Sequence, residues 1–108
     1  MSDKIDAPTA EQFATWAETL QAMIRAAYLR QWPDAPAGFL PSIMLERGPR
    51  YTRIVRFDQS SRGAYGFIDN ATGDLFMAAS WKAPAKHRRG NVAKGLAGCT
   101  EHGMAYLR

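Results

Sequence analysis

Ala64-Tyr65-Gly66-Phe67-Ile68-Asp69-Asn70-Ala71-Thr72-Gly73-Asp74-Leu75-Phe76-Met77-Ala78-Ala79-Ser80-Trp81 is the stretch that decides the fold. Two runs rich in aromatic and aliphatic residues flank a short polar break. Such runs read as strands, and the break reads as their turn. Asn70-Ala71-Thr72-Gly73 predicts a tight hairpin connection, with Gly73 suited to a positive φ. Strands are therefore expected at 64–69 and 75–81.

Working towards the N-terminus, Asp58-Gln59-Ser60-Ser61-Arg62-Gly63 is a loop. Arg50 to Phe57 is β-branched and aromatic, a further strand, and Gly48-Pro49 is a turn signal. Ser42 to Arg47 is a short apolar run and a first strand. Pro33, Pro36, Gly38 and Pro41 make residues 33–41 a rigid connection. Before them the period changes from two to 3.6. Phe13, Trp16, Ala17, Leu20, Met23, Ile24, Ala27 and Tyr28 form one stripe of a helix over 10–31. Thr9 and Gln12 stand at capping-box spacing, Glu11 suits the first turn, and Pro33 stops the helix by Trp32. Residues 1–8 are a polar tail ending in Pro8.

Beyond Trp81 the alternation fails. Lys82 to Lys94 holds Lys82, Lys86, His87, Arg88, Arg89 and Lys94 with Pro84, Gly90 and no acid, and reads as an irregular basic loop. Gly95, Gly98 and Gly103 punctuate the tail, where a short helix at 91–97 or an edge strand at 104–107 is the expected structure. The fold class is α+β in a single domain, 1–108: one long N-terminal helix on a small three- to four-stranded antiparallel sheet (42–81), then the basic loop and C-terminal tail (82–108).

Two dockings of the helix are open. Tyr65, Phe67, Leu75, Met77 and Trp81 make one set of alternating positions, and Gly66, Ala78 and Ser80 belong to a smaller set. The helix is expected on the bulky set, because large apolar residues are seldom left without a partner. Docking on the small set would leave Tyr65, Phe67, Met77 and Trp81 for the tail, a ligand or a second copy, and a homodimer follows from that choice. In the second strand, Arg53 must lie at a margin or find an acid. Arg50 and Arg56 are expected on the exposed side.

With 108 residues, 46% hydrophobic and 11% aromatic, the chain is too apolar for a disordered segment and long enough for one core. No apolar run approaches the ~18 residues of a membrane span. Met1 to Asp6 lacks the basic-then-apolar pattern of a secretory signal, so a cytoplasmic location is expected. The single cysteine, Cys99, excludes an internal disulfide. His87, His102 and Cys99 are the only soft or borderline ligands, the Cys99-x-x-His102 pair is too few for structural zinc, and no metal or cofactor is expected. A hydrolase using Cys99 and His102 lacks a third orienting group and ranks last.

Charge is unevenly placed. The net charge is +4, with three basic against six acidic side chains in 1–46 and ten against three in 47–94, and the remainder balanced. Asymmetry of this kind speaks to association with polyanions. Trp81-Lys82-Ala83-Pro84-Ala85-Lys86-His87-Arg88-Arg89-Gly90-Asn91 brings an indole to a run of cations. Lys and Arg neutralise phosphates, and aromatic faces stack unpaired bases. The expected function is nucleic-acid binding with a preference for single strands. Arg50, Arg53, Arg56, Lys82, Lys86, Arg88 and Arg89 would meet phosphate, and Trp81 and Tyr65 would stack.

The segment Gly73-Asp74-Leu75-Phe76-Met77-Ala78-Ala79-Ser80-Trp81-Lys82-Ala83-Pro84-Ala85-Lys86, with Arg89-Gly90-Asn91 after it, resembles small proteins from bacteriophage genomes and viral metagenomes. Arg50 to Val55 and Ala64 to Asp69 fit the same pattern, so the likeness covers roughly residues 47–92. It implies a phage origin, action in the host cytoplasm, and a binding protein rather than an enzyme. The rival expectation is a phage factor that blocks a host protein, or a minor virion component, without nucleic-acid binding.

Overall fold

A computed structural model describes residues 8–59 and 61–104. Helix α1 runs Ala10–Gln31. It begins where the capping box places it: Gln12 N donates to Thr9 Oγ1 at 3.1 Å, and Thr9 N donates to Gln12 Oε1 at 2.7 Å. Trp32 closes it, its N–H donating to the Tyr28 carbonyl.

A 3-10 turn at Ala37–Phe39 leads into an antiparallel meander: β1 (Ser42–Arg47), β2 (Tyr51–Asp58), β3 (Ser61–Asp69), β4 (Asp74–Ala78) and β5 (Pro84–Asn91). A 3-10 turn at Val92–Lys94 and a small hairpin of β6 (Cys99–Thr100) and β7 (Gly103–Met104) complete the described chain. Residues 1–7 of the expected 1–8 tail and the part of the expected edge strand beyond 104 lie outside the described residues.

Three expectations are corrected. First, the sheet has five strands, not three or four, because Pro84–Asn91 is a strand rather than an irregular loop. Its pairing with β4 shifts register twice, between Leu75/Phe76 and Phe76/Ala78, and such shifts erase the period of two. Pro84 opens the strand, a position that suits a residue with no N–H to donate, and its Lys and Arg residues suit an edge strand. Second, β4 ends at Ala78, so Trp81 lies in the turn to β5, where Ala79 and Ser80 N–H both donate to the Ala83 carbonyl. Third, no helix spans 91–97; only Val92–Lys94 forms one 3-10 turn.

Neither proposed docking holds as drawn. The β3–β4 register sets Gly66 opposite Met77, Phe67 opposite Phe76 and Ile68 opposite Leu75. Even positions of one strand therefore share a face with odd positions of the next. The helix meets a mixed face: Phe13, Trp16, Ala17, Leu20 and Ile24 cluster with Ile54, Ile68 and Leu75, with Ile43, Leu45 and Met77 packed around them. Leu20, Ile54, Ile68 and Leu75 are all fully buried, each worth about 1.5–3 kcal/mol over exposure.

The C-terminal segment closes the same side. Trp16 Nε1 donates to the Gly95 carbonyl at 2.8 Å, which ties the helix to the turn after β5. Gly66 lies under Met104, whose methyl a Cβ there would overlap, and Gly98, at φ 86°, lies against the Arg89 carbonyl. Both positions need a residue without a side chain.

Two substitutions test this construction by urea unfolding. Thr9→Ala removes the cap and should cost about 1 kcal/mol. Trp16→Ala should cost about 3–5 kcal/mol through lost packing and the lost bond to Gly95. A Trp16→Ala variant as stable as its parent would make the helix a peripheral arm.

Candidate functional site

The face of the sheet turned away from α1 is built by β2, β3 and β4 together with the turn at Trp81. Along β2, Tyr51, Arg53 and Val55 alternate with Thr52 and Ile54, which are buried on the helix side. Phe67 and Phe76 face each other across β3 and β4. Tyr51 packs edge-on against both, with ring centroids 6.4 Å from Phe67 and 6.0 Å from Phe76. Phe67 is buried, whereas Tyr51, Phe76 and Trp81 keep part of their surface in water.

Arginines lie on these rings. The Arg53 guanidinium stands 4.3 Å from the Trp81 centroid and 5.9 Å from that of Phe67. Arg62 stands 4.8 Å from Trp81, and Arg50 5.0 Å from Tyr51. Cation–π attraction draws each guanidinium to its ring at about 0.5–1 kcal/mol in exposed settings. Arg53 is fixed further: its Nε donates to the Trp81 carbonyl at 2.7 Å and its Nη1 to Glu46 Oε1 at 2.6 Å. The acid that a half-buried arginine needs is thus Glu46, directly opposite Arg53 on β1.

The expected site residues divide into those on this face and those elsewhere. Arg50, Arg53 and Trp81 come together on it, and exposed Lys82 and Lys86 follow in the turn and β5. Arg88 stands opposite Phe76 in the register and reaches Asp74 at 3.5 Å. Burial raises the Asp74 carboxyl, but hydrogen bonds from Asn91 and Thr72 and the charge of Arg88 outweigh it, so Asp74 stays below the usual carboxylate value. Arg88 therefore meets a fully charged acid.

Tyr65 does not present a stacking ring. A shift of register between Ile54 and Val55 turns it to the helix side, where it is 6% exposed. Its hydroxyl donates to the Thr100 carbonyl at 2.7 Å and approaches that of Gly103 at 3.1 Å. Arg56 also leaves the expected side. It lies opposite Ile43, pairs with Asp58 at 3.0 Å and donates to the Glu101 carbonyl. Arg89 is half-buried, with Gly98 against its backbone.

Arg62, Tyr51 and Phe76 were not among the expected site residues. Arg62 reads as a loop residue in the sequence, yet β3 begins at Ser61 and carries it onto Trp81. The signal that finds Tyr51 and Phe76 is the alternation of each strand combined with the hairpin register.

Burial pushes the Cys99 thiol above its ordinary value, against the thiolate a nucleophile needs, with Tyr65 opposing in part. His102 is exposed, 3.9 Å from Glu101. Among the described residues no cluster of three His, Cys, Asp or Glu stands ready for a metal.

Burial raises the Tyr65 phenol above the ordinary tyrosine value of 10, with smaller contributions from Cys99. Its folded pKa exceeds its unfolded one, so the associated stability is complete below pH 10 and falls as pH rises from there towards the folded value. The thermal midpoint should drop on alkaline titration, and Tyr65→Phe should lack that part of the drop. At neutral pH the same variant should lose about 0.5–1.5 kcal/mol, since its hydroxyl anchors the C-terminal hairpin.

No curated protein and no solved structure matches this chain significantly. Among the described residues no helix is long and apolar enough to cross a membrane. A match over residues 2–101 takes in α1, all five strands of the large sheet and the turn that carries Trp81. The chain belongs to the Family of unknown function (DUF7717).

Proposed function

We propose that this protein binds single-stranded nucleic acid on the open face of its five-stranded sheet. The observation that carries the reading is one surface that brings partly exposed Tyr51, Phe76 and Trp81 together with Arg50, Arg53 and Arg62. Unpaired bases stack on such rings at roughly 1–3 kcal/mol each, and the cations neutralise the backbone. Lys82 and Lys86 extend the positive rim beyond the rings. A duplex hides its bases from a sheet surface, so the single strand is the better partner. The likeness to phage proteins over roughly residues 47–92 supports a viral setting, because that stretch supplies the strands of this face.

A second reading, a protein partner, is favoured by a different observation. Leu29, Trp32 and Phe39 are exposed at the end of α1 and in the turn after it. Large apolar side chains left in water mark contact surfaces. Under that reading oligonucleotide titrations are flat. If the partner is a second copy, light scattering at micromolar protein reports about twice the chain mass.

Fluorescence anisotropy with a labelled single strand, across a salt series, decides between them. The logarithm of affinity should fall linearly with the logarithm of salt, by about 0.7 per neutralised phosphate. The double variant Lys82→Glu, Lys86→Glu should weaken binding to all sequences and flatten the slope. Trp81→Ala should weaken binding by about 1–3 kcal/mol with the slope unchanged, in protein shown by thermal unfolding to be folded. Absence of saturable binding at low salt by soluble, folded protein would overturn the proposal.

A further inference from the structure

Glu46 holds a particular place on the proposed face. It lies on β1 opposite Arg53, with Oε1 2.6 Å from Arg53 Nη1 and Oε2 4.0 Å from Arg62 Nη1. Both arginines stack on Trp81. One carboxylate thus approaches two guanidiniums that both lie over one indole. Arginines bind phosphate through paired N–H groups, and a neighbouring aromatic ring offers a base its face.

We infer that Arg53, Arg62 and Trp81 form a single nucleotide subsite, and that Glu46 occupies its phosphate position as an internal competitor. The inference rests on the nucleic-acid reading of this face. Glu46 is displaceable: its side chain is 42% exposed and that of Arg62 55%, so water screens the contacts. Arg53 does not depend on Glu46 for its position. Its Nε remains bonded to the Trp81 carbonyl and its guanidinium remains stacked when the carboxylate leaves. The incoming phosphate therefore finds the subsite already shaped. Every bound strand must first release Glu46, which weakens binding and favours ligands that supply both a phosphate and a stacking base.

The experiment compares the parent, Glu46→Gln and Glu18→Gln with a labelled oligothymidylate across a salt series. Glu18 is exposed on the helix, outside the proposed face, and its variant measures the effect of charge alone. Glu46→Gln should bind about two- to fivefold more tightly at low salt, the scale of an exposed ion pair. Its salt slope should steepen by about 0.7 for each phosphate newly neutralised. Glu18→Gln should change affinity less and leave the slope as it was. Arg62→Gln, which spares the Arg53–Glu46 pair, should bind more weakly than the parent. Parent binding with Glu46→Gln no tighter than Glu18→Gln would overturn the competitor role while the binding face stands. No binding by any folded variant would overturn the face itself, and the subsite with it.

Discussion

The register of the β3–β4 hairpin governs the molecule. With Ile68 opposite Leu75 and Phe67 opposite Phe76, aliphatic side chains fall on one face and rings on the other. The turn that fixes it is tight: Gly73 N donates to the Asp69 carbonyl at 2.8 Å, and Gly73 takes φ 80°. A slip of one residue would exchange the faces, sending Phe76 under the helix and Leu75 into water. The base of the neighbouring hairpin holds the same alignment. Buried Thr52 donates to Asn70 Oδ1 at 2.6 Å, and Asn70 Nδ2 donates to the Gly48 carbonyl at 2.8 Å. Two turns are thereby locked to each other at one end of the sheet.

The same sorting explains why two arginines three positions apart meet different fates. Arg53 falls on the aromatic face, where rings, a carbonyl and Glu46 hold it half-buried. Arg56 falls on the helix side, opposite Ile43, where the core would reject a bare charge. It is tolerated because Asp58 and the Glu101 carbonyl meet it at the margin. The C-terminal hairpin is thus anchored by the hydrogen bond from the Arg56 guanidinium to the Glu101 carbonyl, by the Tyr65 hydroxyl and by apolar Met104 over Gly66.

Much of this was legible in the sequence, and the rest was not, for definite reasons. The helix and its cap were legible because both signals are local: a stripe of period 3.6 and two side chains three residues apart. The bounds of β1 and the Gly73 turn were legible for the same reason. The pairing of faces was not, because alternation within a strand leaves open which parity meets which across the turn. Tyr65 was misplaced by one irregularity, the register shift between Ile54 and Val55. β5 was hidden because its polar residues and two register shifts remove the hydrophobic period, although its backbone still pairs with β4. Of the candidate site, the cations and Trp81 were visible as composition. The aromatic partners and Glu46 became visible only through pairing between distant strands.

The edges of the sheet are guarded, unlike its open face. An open edge invites another strand, yet both edges here are blunted. On β1 the Ile43 N–H, which faces away from β2, donates instead to Gln21 Oε1 at 2.9 Å. Next to it Arg25 donates from Nε to the Pro41 carbonyl at 2.8 Å and from Nη2 to Ser42 Oγ at 3.2 Å. The helix therefore guards the start of that edge with its own side chains. On β5 the guard is different in kind: Pro84 withholds a donor, exposed Lys86 and Arg88 repel a similar strand, and the register shifts bend the backbone. The helix and C-terminal segment cover one face, and the edges resist strand addition. The aromatic face remains as the broad surface with both charge and stacking area to offer.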